Sequence, residues 1–429
     1  MFAFTIAGLT GLTLLTGNIL GITLTLFGFA VFHFYLGGNY SAVGNAVWNL
    51  LNSYAFTAVP SFILLGELLG KTGVARKIYT SLSPLVARLP GKLLQTNIVT
   101  CTVFSAVNGS SSATVAVVGA IAFDELERQG YDRRAVIGSI AGAGTLGILI
   151  PPSVVLIIYG SWQDVSVGHL FVAGIIPGLM ISAFFMTYVA IAATLNRRMV
   201  PAEGAAVPLG KALLMSLHAW PFLVLILVIL GSVATGAATP TESAALGVVA
   251  AIALAACYRE LTIKSLWSAV VSTVTIFSSL ALILIGATVL SQALALSGMP
   301  KYLALAVVES QLSPVLVICL VYLMYFVLGC FFAGVDMMLI TLPFVFPLVT
   351  ALGYDPVWLG IALVILIEIA ILTPPVGVNL FVIMAVTRGR VSLAEAARAA
   401  FPYWLLLLFA LGLITVWPGI VTFLPRLAF

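Results

Sequence analysis

Charge is what this sequence has least of. Asp, Glu, Lys and Arg make up only 7% of its 429 residues, and none stands before Glu67. A soluble domain carries about a quarter charged residues. With 62% of the residues hydrophobic, a water-exposed globule has too little polar surface to cover its core. The class that remains is an all-α polytopic membrane protein in contact with the lipid bilayer. The uncharged start also lacks the positive region of a cleavable signal peptide, so the chain is read as membrane helix from Met1 onward.

Other absences narrow the function. The basic residues are scattered over short loops, and a net charge of +4 does not indicate a nucleic-acid partner. Cys101, Cys257, Cys319 and Cys330 lie in apolar runs without metal-site spacing and read as small buried hydrophobes. There is no HExxH and no paired Asp at membrane depth, which leaves an intramembrane enzyme without its chemistry. His33, His169 and His218 are scattered near helix ends and make poor proton relays. No Lys or Arg is predicted at membrane depth either. An anion there has to be held by helix N-termini, hydroxyls, amides and bound cations.

The few basic residues that are present set the topology. Stretches 71–92, 127–134, 196–211, 258–264 and 388–398 hold 16 of the 18, and the positive-inside rule places them in the cytoplasm. Segments at about 135–159, 168–195, 212–234, 241–257, 268–296, 357–386 and 400–424 then alternate across the membrane. Two apolar stretches do not alternate. Lys92 to Arg128 begins and ends on one side, and Lys301 to Asp355 on the other. Each has a break of small residues, "NGSSSAT" from Asn108 and "GCFFAGVD" from Gly329. Both read as re-entrant hairpins, whose non-helical tips must be buried in protein or line a watery cavity. Within 71–92, Val74, Ile78, Leu82, Leu85 and Val86 recur at helical spacing beside Lys and Arg. That pattern predicts an amphipathic arm along the cytoplasmic interface.

The pattern repeats. "GYD" stands at Gly130 and at Gly353, and Pro-Pro at 151–152 and 374–375, both 223 residues apart. "TGVARKI" from Thr72 faces "SGMPKYL" from Ser297, and Gly109 faces Gly334, both 225 apart. One GYD is followed by Arg133 and Arg134, the other by Pro356, so the copies are predicted to lie in opposite orientations. Inverted repeats with broken helices are a signature of secondary transporters, with the site where the breaks meet.

The prolines have a chemical reading. Proline has no N–H and releases the carbonyl four residues earlier. Pro151 and Pro152 are expected to bare the carbonyls of Gly147 and Ile148, and Pro374 and Pro375 those of Ala370 and Ile371. Bare carbonyls are costly in lipid unless something binds them, and desolvated Na+ wants hard oxygen ligands. The candidate Na+ set is therefore Asn108, Ser110, Thr145, Gly147, Ile148, Asp336, Ala370, Ile371 and Thr373. The candidate substrate set is Asn108, Gly109, Ser110, Ser111, Pro152, Gly334, Asp336, Pro375, Gly377 and Asn379, with Ser112 and Thr114 beside it. Of the acidic residues near the core, Asp336 and Glu368 read as ion-binding or structural, as do Glu67 and Glu242.

Long motifs carry a resemblance: "GELLGKTGVARKI" (66–78), "GSSSATVAVVGAIAFDELERQGYDRRAV" (109–136), "GILIPPSVVLIIYG" (147–160), "LFVAGIIPGLM" (170–180), "TPTESAALG" (239–247), "GVDMMLITLPFVFPLVTALGYDPVWLGI" (334–361) and "TPPVGVNLFV" (373–382). In this order they resemble the large membrane subunit of TRAP (tripartite ATP-independent periplasmic) transporters, the DctM-type permease. The resemblance implies an elevator-type carrier of the bacterial inner membrane that moves an organic anion with Na+. It implies supply by a periplasmic substrate-binding protein and a separate small four-helix membrane subunit. Asn108 stands where the family hairpin often begins Ser-Gly-Ser, and Ser243 ends a motif that often reads TPTEA. On this reading 1–54 are N-terminal scaffold helices. Residues 55–92 form a crossing helix and arm, 93–165 the first transport half, 166–265 scaffold, 266–312 the second crossing helix and arm, 313–390 the second transport half, and 391–429 a C-terminal helix. Two transport readings compete with it. One is a free-standing Na+/carboxylate symporter that needs no binding protein. The other is a channel, whose flux neither saturates nor follows a Na+ gradient.

Overall fold

The computed structural model describes residues 20–38, 40–201 and 207–429. The first 19 residues of the N-terminal unit read at 1–54 lie outside these. All regular structure among the described residues is helical, as lipid requires of a chain that must satisfy its backbone internally. Among the described residues, six segments are long and apolar enough by themselves to cross a membrane: Val167–Leu195, Leu209–Ala234, Pro240–Cys257, Ile263–Leu296, Gly334–Ala351 and Leu393–Val416.

The described chain begins with α1 (Leu20–Tyr35) and α2 (Ser41–Leu51), after which one order of elements appears twice. In the first copy α3 (Tyr54–Lys71) leads to the short α4 (Val74–Val86). A pair of helices follows, α5 (Leu93–Asn108) and α6 (Ser111–Arg128), then α7 (Arg133–Gly144), a 3-10 turn (Thr145–Ile148), the Pro151–Pro152 break and α8 (Val154–Trp162). Between the copies run α9 (Val167–Leu195), α10 (Leu209–Ser216), α11 (Trp220–Ala234) and α12 (Pro240–Cys257). The second copy has α13 (Ile263–Leu296), α14 (Met299–Glu309), the pair α15 (Pro314–Gly329) and α16 (Gly334–Ala351), α17 (Pro356–Ala370), the Pro374–Pro375 break and α18 (Val378–Val386). α19 (Leu393–Val416) and α20 (Gly419–Ala428) follow. The arms of each pair pack against each other.

The GYD landmarks now have a physical meaning. Gly130 and Gly353 hold φ of +82° and +84°, a left-handed turn that glycine enters without a Cβ penalty. Asp132 then accepts the Ala135 N–H at 3.0 Å, and Asp355 the Val357 N–H at 2.7 Å. Each motif stops one helix and caps the next.

Two packed groups result. In one, α13 lies along α1 and α3, and α12 against α3. Here Gly21 and Gly286 let the α1 and α13 backbones approach, since a Cβ on Gly21 would stand 2.5 Å from the Leu282 carbonyl oxygen. In the other, α6 packs on α18 and α7 on α19, so the two copies interlock. α9 touches this second group through α5, α17 and α19, and α3 meets it at α5 and α8.

Along α4, Val74, Ile78 and Val86 are buried, and Leu82 and Leu85 half-buried. Lys77 donates to the Tyr258 carbonyl at 2.9 Å and pairs with Glu260 at 3.3 Å.

Two expectations are corrected. The last apolar segment does not continue to 424, because α19 ends at Val416. Pro418 disfavours the helical conformation at Trp417, which sits at φ −124°, ψ 78°. The cysteines are not uniformly buried: Cys101 is, but Cys257 and Cys319 are exposed and Cys330 intermediate. Apolar sequence around a residue does not fix which helix face it occupies.

Candidate functional site

Both helix-pair tips and both breaks converge on one cavity of about 710 Å³, within the roughly 300–1,000 Å³ typical of small-molecule sites. The first tip supplies Asn108, Gly109, Ser110 and Ser111, and the second Gly334 and Asp336. The breaks supply Ile148, Ile371 and Asn379. The facing wall is α3, with Ile63 and Glu67, and α13, with Thr275 and Ser279. Among the described residues that line the cavity, none is Lys or Arg.

The first tip is built tightly. Gly109, at φ +62°, ends α5, and Ser110 caps α6 by accepting the Ala113 N–H at 3.4 Å. The buried Asn108 amide donates to the Ser110 carbonyl at 3.2 Å and to Thr114 Oγ1 at 3.3 Å. The tip then rests on its own copy's break. A Cβ at Gly147 would stand 2.5 Å from the Ser110 carbonyl oxygen, and one at Gly109 3.0 Å from that of Pro152. Only glycine at 147 allows this backbone-to-backbone contact.

Asn379 joins the copies. Its side-chain N–H donates to Ser111 Oγ at 2.8 Å and to the Ala141 carbonyl at 3.4 Å, while Ser111 donates to the Gly144 carbonyl at 2.9 Å. A residue beside the second break thus holds the first tip in place.

The second tip differs. Gly334 is the first residue of α16 rather than a left-handed stop, and its α-carbon faces the Ile367 side chain. Asp336 lies in the first turn of α16, where the helix dipole favours a carboxylate. Glu368 is fully buried, and neither carboxylate oxygen has a hydrogen-bond partner. It neighbours Ile367 but does not line the cavity.

The proline argument expects bare carbonyls at Gly147, Ile148, Ala370 and Ile371. Three have protein donors. The Ser153 hydroxyl donates to Ile148, the Thr373 N–H to Ala370 at 2.9 Å and the Asn379 N–H to Ile371 at 3.1 Å. Ser153 and Asn379 are brought by the chain folding back after each break, and the Thr373 N–H by the last turn before the second, none of which the missing proline N–H prevents. A carbonyl keeps a second lone pair, so all of them can still face a cation. Thr145 donates to the Gly142 carbonyl at 2.8 Å. Thr373 donates to Ile369 at 2.7 Å and accepts the Trp404 indole N–H at 3.0 Å. Thr145, Gly147, Ala370, Thr373, Pro152, Pro375 and Gly377 are not among the residues that line the cavity.

Among the described residues, no three His, Cys, Asp or Glu come together. Glu242 forms a capping box with Thr239, at 2.8 Å from its N–H and 3.3 Å back to its hydroxyl, a structural role. His33 meets the Tyr40 hydroxyl at 3.1 Å and His218 the Leu214 carbonyl at 3.2 Å. Sequence reading singled out Glu67 of α3 but missed the α13 side of the cavity's facing wall. Its signal was present in "STVTIFSS" (272–279), where Thr275 and Ser279 share one face at i, i+4 spacing.

The chain matches, over residues 7–420, the family described as tripartite ATP-independent periplasmic transporter, DctM component. It is 36% identical to the C4-dicarboxylate TRAP transporter large permease protein DctM of Pseudomonas aeruginosa, over 87% of this chain and 86% of that one. It is 29% identical to the sialic acid TRAP transporter permease protein SiaT of Haemophilus influenzae, over 88% of this chain but 61% of that longer protein. In fold it is similar to the YdaH transporter of Alcanivorax borkumensis, with a TM-score of 0.65, 13% identity and 89% of each chain covered.

Proposed function

The chain belongs to the DctM component of the tripartite ATP-independent periplasmic transporters, multi-pass permeases of the bacterial inner membrane and not enzymes, and from that premise we propose Na+-coupled import of an organic anion. The substrate is a carboxylate such as a C4-dicarboxylate or a sugar acid, delivered by a periplasmic binding protein. The observation that carries this reading is the single cavity on which Asn108, Ser110, Asp336 and Asn379 converge without any Lys or Arg. An anion in such a place needs cations brought with it, and the oxygen-rich backs of both breaks suit Na+ better than a softer ion.

The interlocked group of α5–α8 and α15–α19 is the moving body, and α1, α3, α12 and α13 belong to the scaffold of an elevator. The two copies of the element order lie inverted, and the helix pairs are re-entrant. The additional length of the sialic acid relative supports a small membrane subunit seated on the scaffold. The test is uptake in proteoliposomes holding this chain, the small subunit and the binding protein. Uptake should require a Na+ gradient and all three proteins. An inside-negative potential should speed it if Na+ charge exceeds substrate charge, since each net charge moved gains about 2.3 kcal/mol per 100 mV. Full uptake by this chain alone would favour the free-standing symporter. Flux that neither saturates nor follows Na+ would favour a channel.

A further inference from the structure

The main cavity continues on the side of α3 and α6. A second hollow of about 360 Å³ adjoins it, and both are lined by Glu67, Asn108, Ala113 and Ala116. From this shared wall the second hollow runs between α3 and α6 to Lys71 and Arg76 at the α3–α4 corner, where the basic stretch 71–92 begins. There is room along it, because a Cβ at Gly70 would meet nothing nearer than Val117 Cγ2 at 3.4 Å. The charges along it are ordered. Glu67 is at the inner end with 15% of its side chain exposed, and Lys71 is at the outer end with 44%, their charged atoms 4.0 Å apart.

We infer that this lane is the path by which the transported anion leaves for the cytoplasm, with Glu67 and Lys71 setting the charge that passes. The inference rests on the proposed import of an organic anion. An anion leaving a cavity without Lys or Arg has to pass Glu67, and an unpaired carboxylate there would turn it back. Lys71, one helical turn on, neutralises Glu67. It is also the first mobile cation the anion meets, on a flexible stem that can exchange one carboxylate for another. Arg76 then marks the cytoplasmic mouth.

The test uses Gly70→Cys in a chain whose Cys257, Cys319 and Cys330 are replaced by Ser, assembled with the small subunit in inside-out vesicles. The probes are two methanethiosulfonates of similar size, one carrying a sulfonate and one a trimethylammonium. Both should react from the cytoplasmic side, the anionic reagent faster. Lys71→Gln should slow the anionic and speed the cationic reagent by about fivefold each, the weight of one unit charge about 4 Å away in bulk water, and Glu67→Gln should do the reverse. When the labelled chain is reconstituted into proteoliposomes with the small subunit, binding-protein-dependent uptake should fall more than tenfold with the anionic adduct and less with the cationic one. A mere jam of the two helix groups would not depend on the sign. Full labelling with unchanged uptake, or labelling rates indifferent to Lys71→Gln and Glu67→Gln, overturns the inference. Should Gly70→Cys itself not transport, Ala120→Cys on the opposite wall carries the same expectations. Absence of Na+-dependent uptake in the unlabelled parent would sink the proposed function instead, and the two failures are distinguishable.

Discussion

The two Pro-Pro breaks carry one dipeptide, both prolyl bonds cis, in unlike surroundings. Around the first, every residue from Gly147 to Ser153 is buried. The Ser110 carbonyl of the first tip lies on one side, and Gly174 of α9 makes room for the Leu149 carbonyl on the other. Around the second, Pro374 and Pro375 are exposed. The second tip packs beside that break, on the Ile367 and Ala370 side chains of the last turn of α17, while Trp404 of α19 braces Thr373. A shared motif supplies the same bend, and the neighbours decide how firmly it is held. In the first copy backbone meets backbone, which leaves no rotamer to yield. In the second, side chain meets backbone, and a side chain can turn.

One added methyl in each copy should separate the two tips most clearly. Gly147→Ala should abolish uptake and lower the thermal midpoint, because its obstacle is a carbonyl that cannot move without parting the tip from the break. Overpacking of this kind costs about 1–3 kcal/mol or more, and Ser110→Ala should give no relief. Gly334→Ala overlaps the Ile367 side chain instead. Its cost should be smaller, and combined with Ile367→Ala it should cost less than the sum of the two single changes. Thermal midpoints of the four single and two double variants in detergent decide the matter. Equal, additive losses in both copies would mean that the two tips are held alike.

A smaller effect separates the two threonines. Thr145 Oγ donates once and keeps both lone pairs, whereas Thr373 Oγ spends one on the Trp404 N–H. If both help to hold Na+, Thr145→Val should raise the Na+ concentration for half-maximal uptake by roughly tenfold, the usual loss for one group at a buried charge. Asn108→Ala and Ser110→Ala should act in the same direction. Thr373→Val should shift Na+ dependence less and the thermal midpoint more, because it leaves the indole N–H of the half-buried Trp404 without its acceptor. Wild-type Na+ dependence in all four variants, with substrate affinity lost, would assign the breaks to the substrate.

How much of this could be read from the sequence follows the range of each signal. Helix positions were legible because apolar runs and caps such as Asp132, Thr239 and Asp355 act within a few residues. The repeat was legible because its landmarks keep one spacing. What was not legible depends on contacts across the chain. The Ser111–Asn379 bond spans 268 residues, and no local pattern announces it. Whether a freed carbonyl finds a donor depended on how the chain folds back after Pro152 and Pro375. The exposure of Pro374 against the burial of Pro151 is likewise set by neighbours that identical dipeptides do not encode.

The smallest expected effect lies at an exposed joint between the copies, at the cytoplasmic face by the charge reading. Arg390, after α18, pairs with Asp124 and, at 2.9 Å, with Glu127 of α6. Arg133 ties Glu127 to Glu395 at 3.8 and 3.3 Å. The joints between the copies thus include the buried Ser111–Asn379 bond, the Tyr159 hydroxyl donating to the Pro356 carbonyl at 2.6 Å, and this exposed network. Exposed ion pairs are worth little, because water and salt screen them and long side chains must be ordered. Asp124 holds the Arg390 guanidinium above its already high ordinary pKa. Arg390 stays charged at any usable pH, and salt is the lever that weakens the network. Arg390→Gln should lower the thermal midpoint by no more than about 2 °C at low salt, by less at 1 M salt, and leave Na+ dependence unchanged. Asn379→Ala removes a buried partner and leaves Ser111 short of a donor, so it should lower the midpoint more, by an amount indifferent to salt. A larger, salt-sensitive loss from Arg390→Gln would reverse the order and make the surface network the principal joint between the two halves.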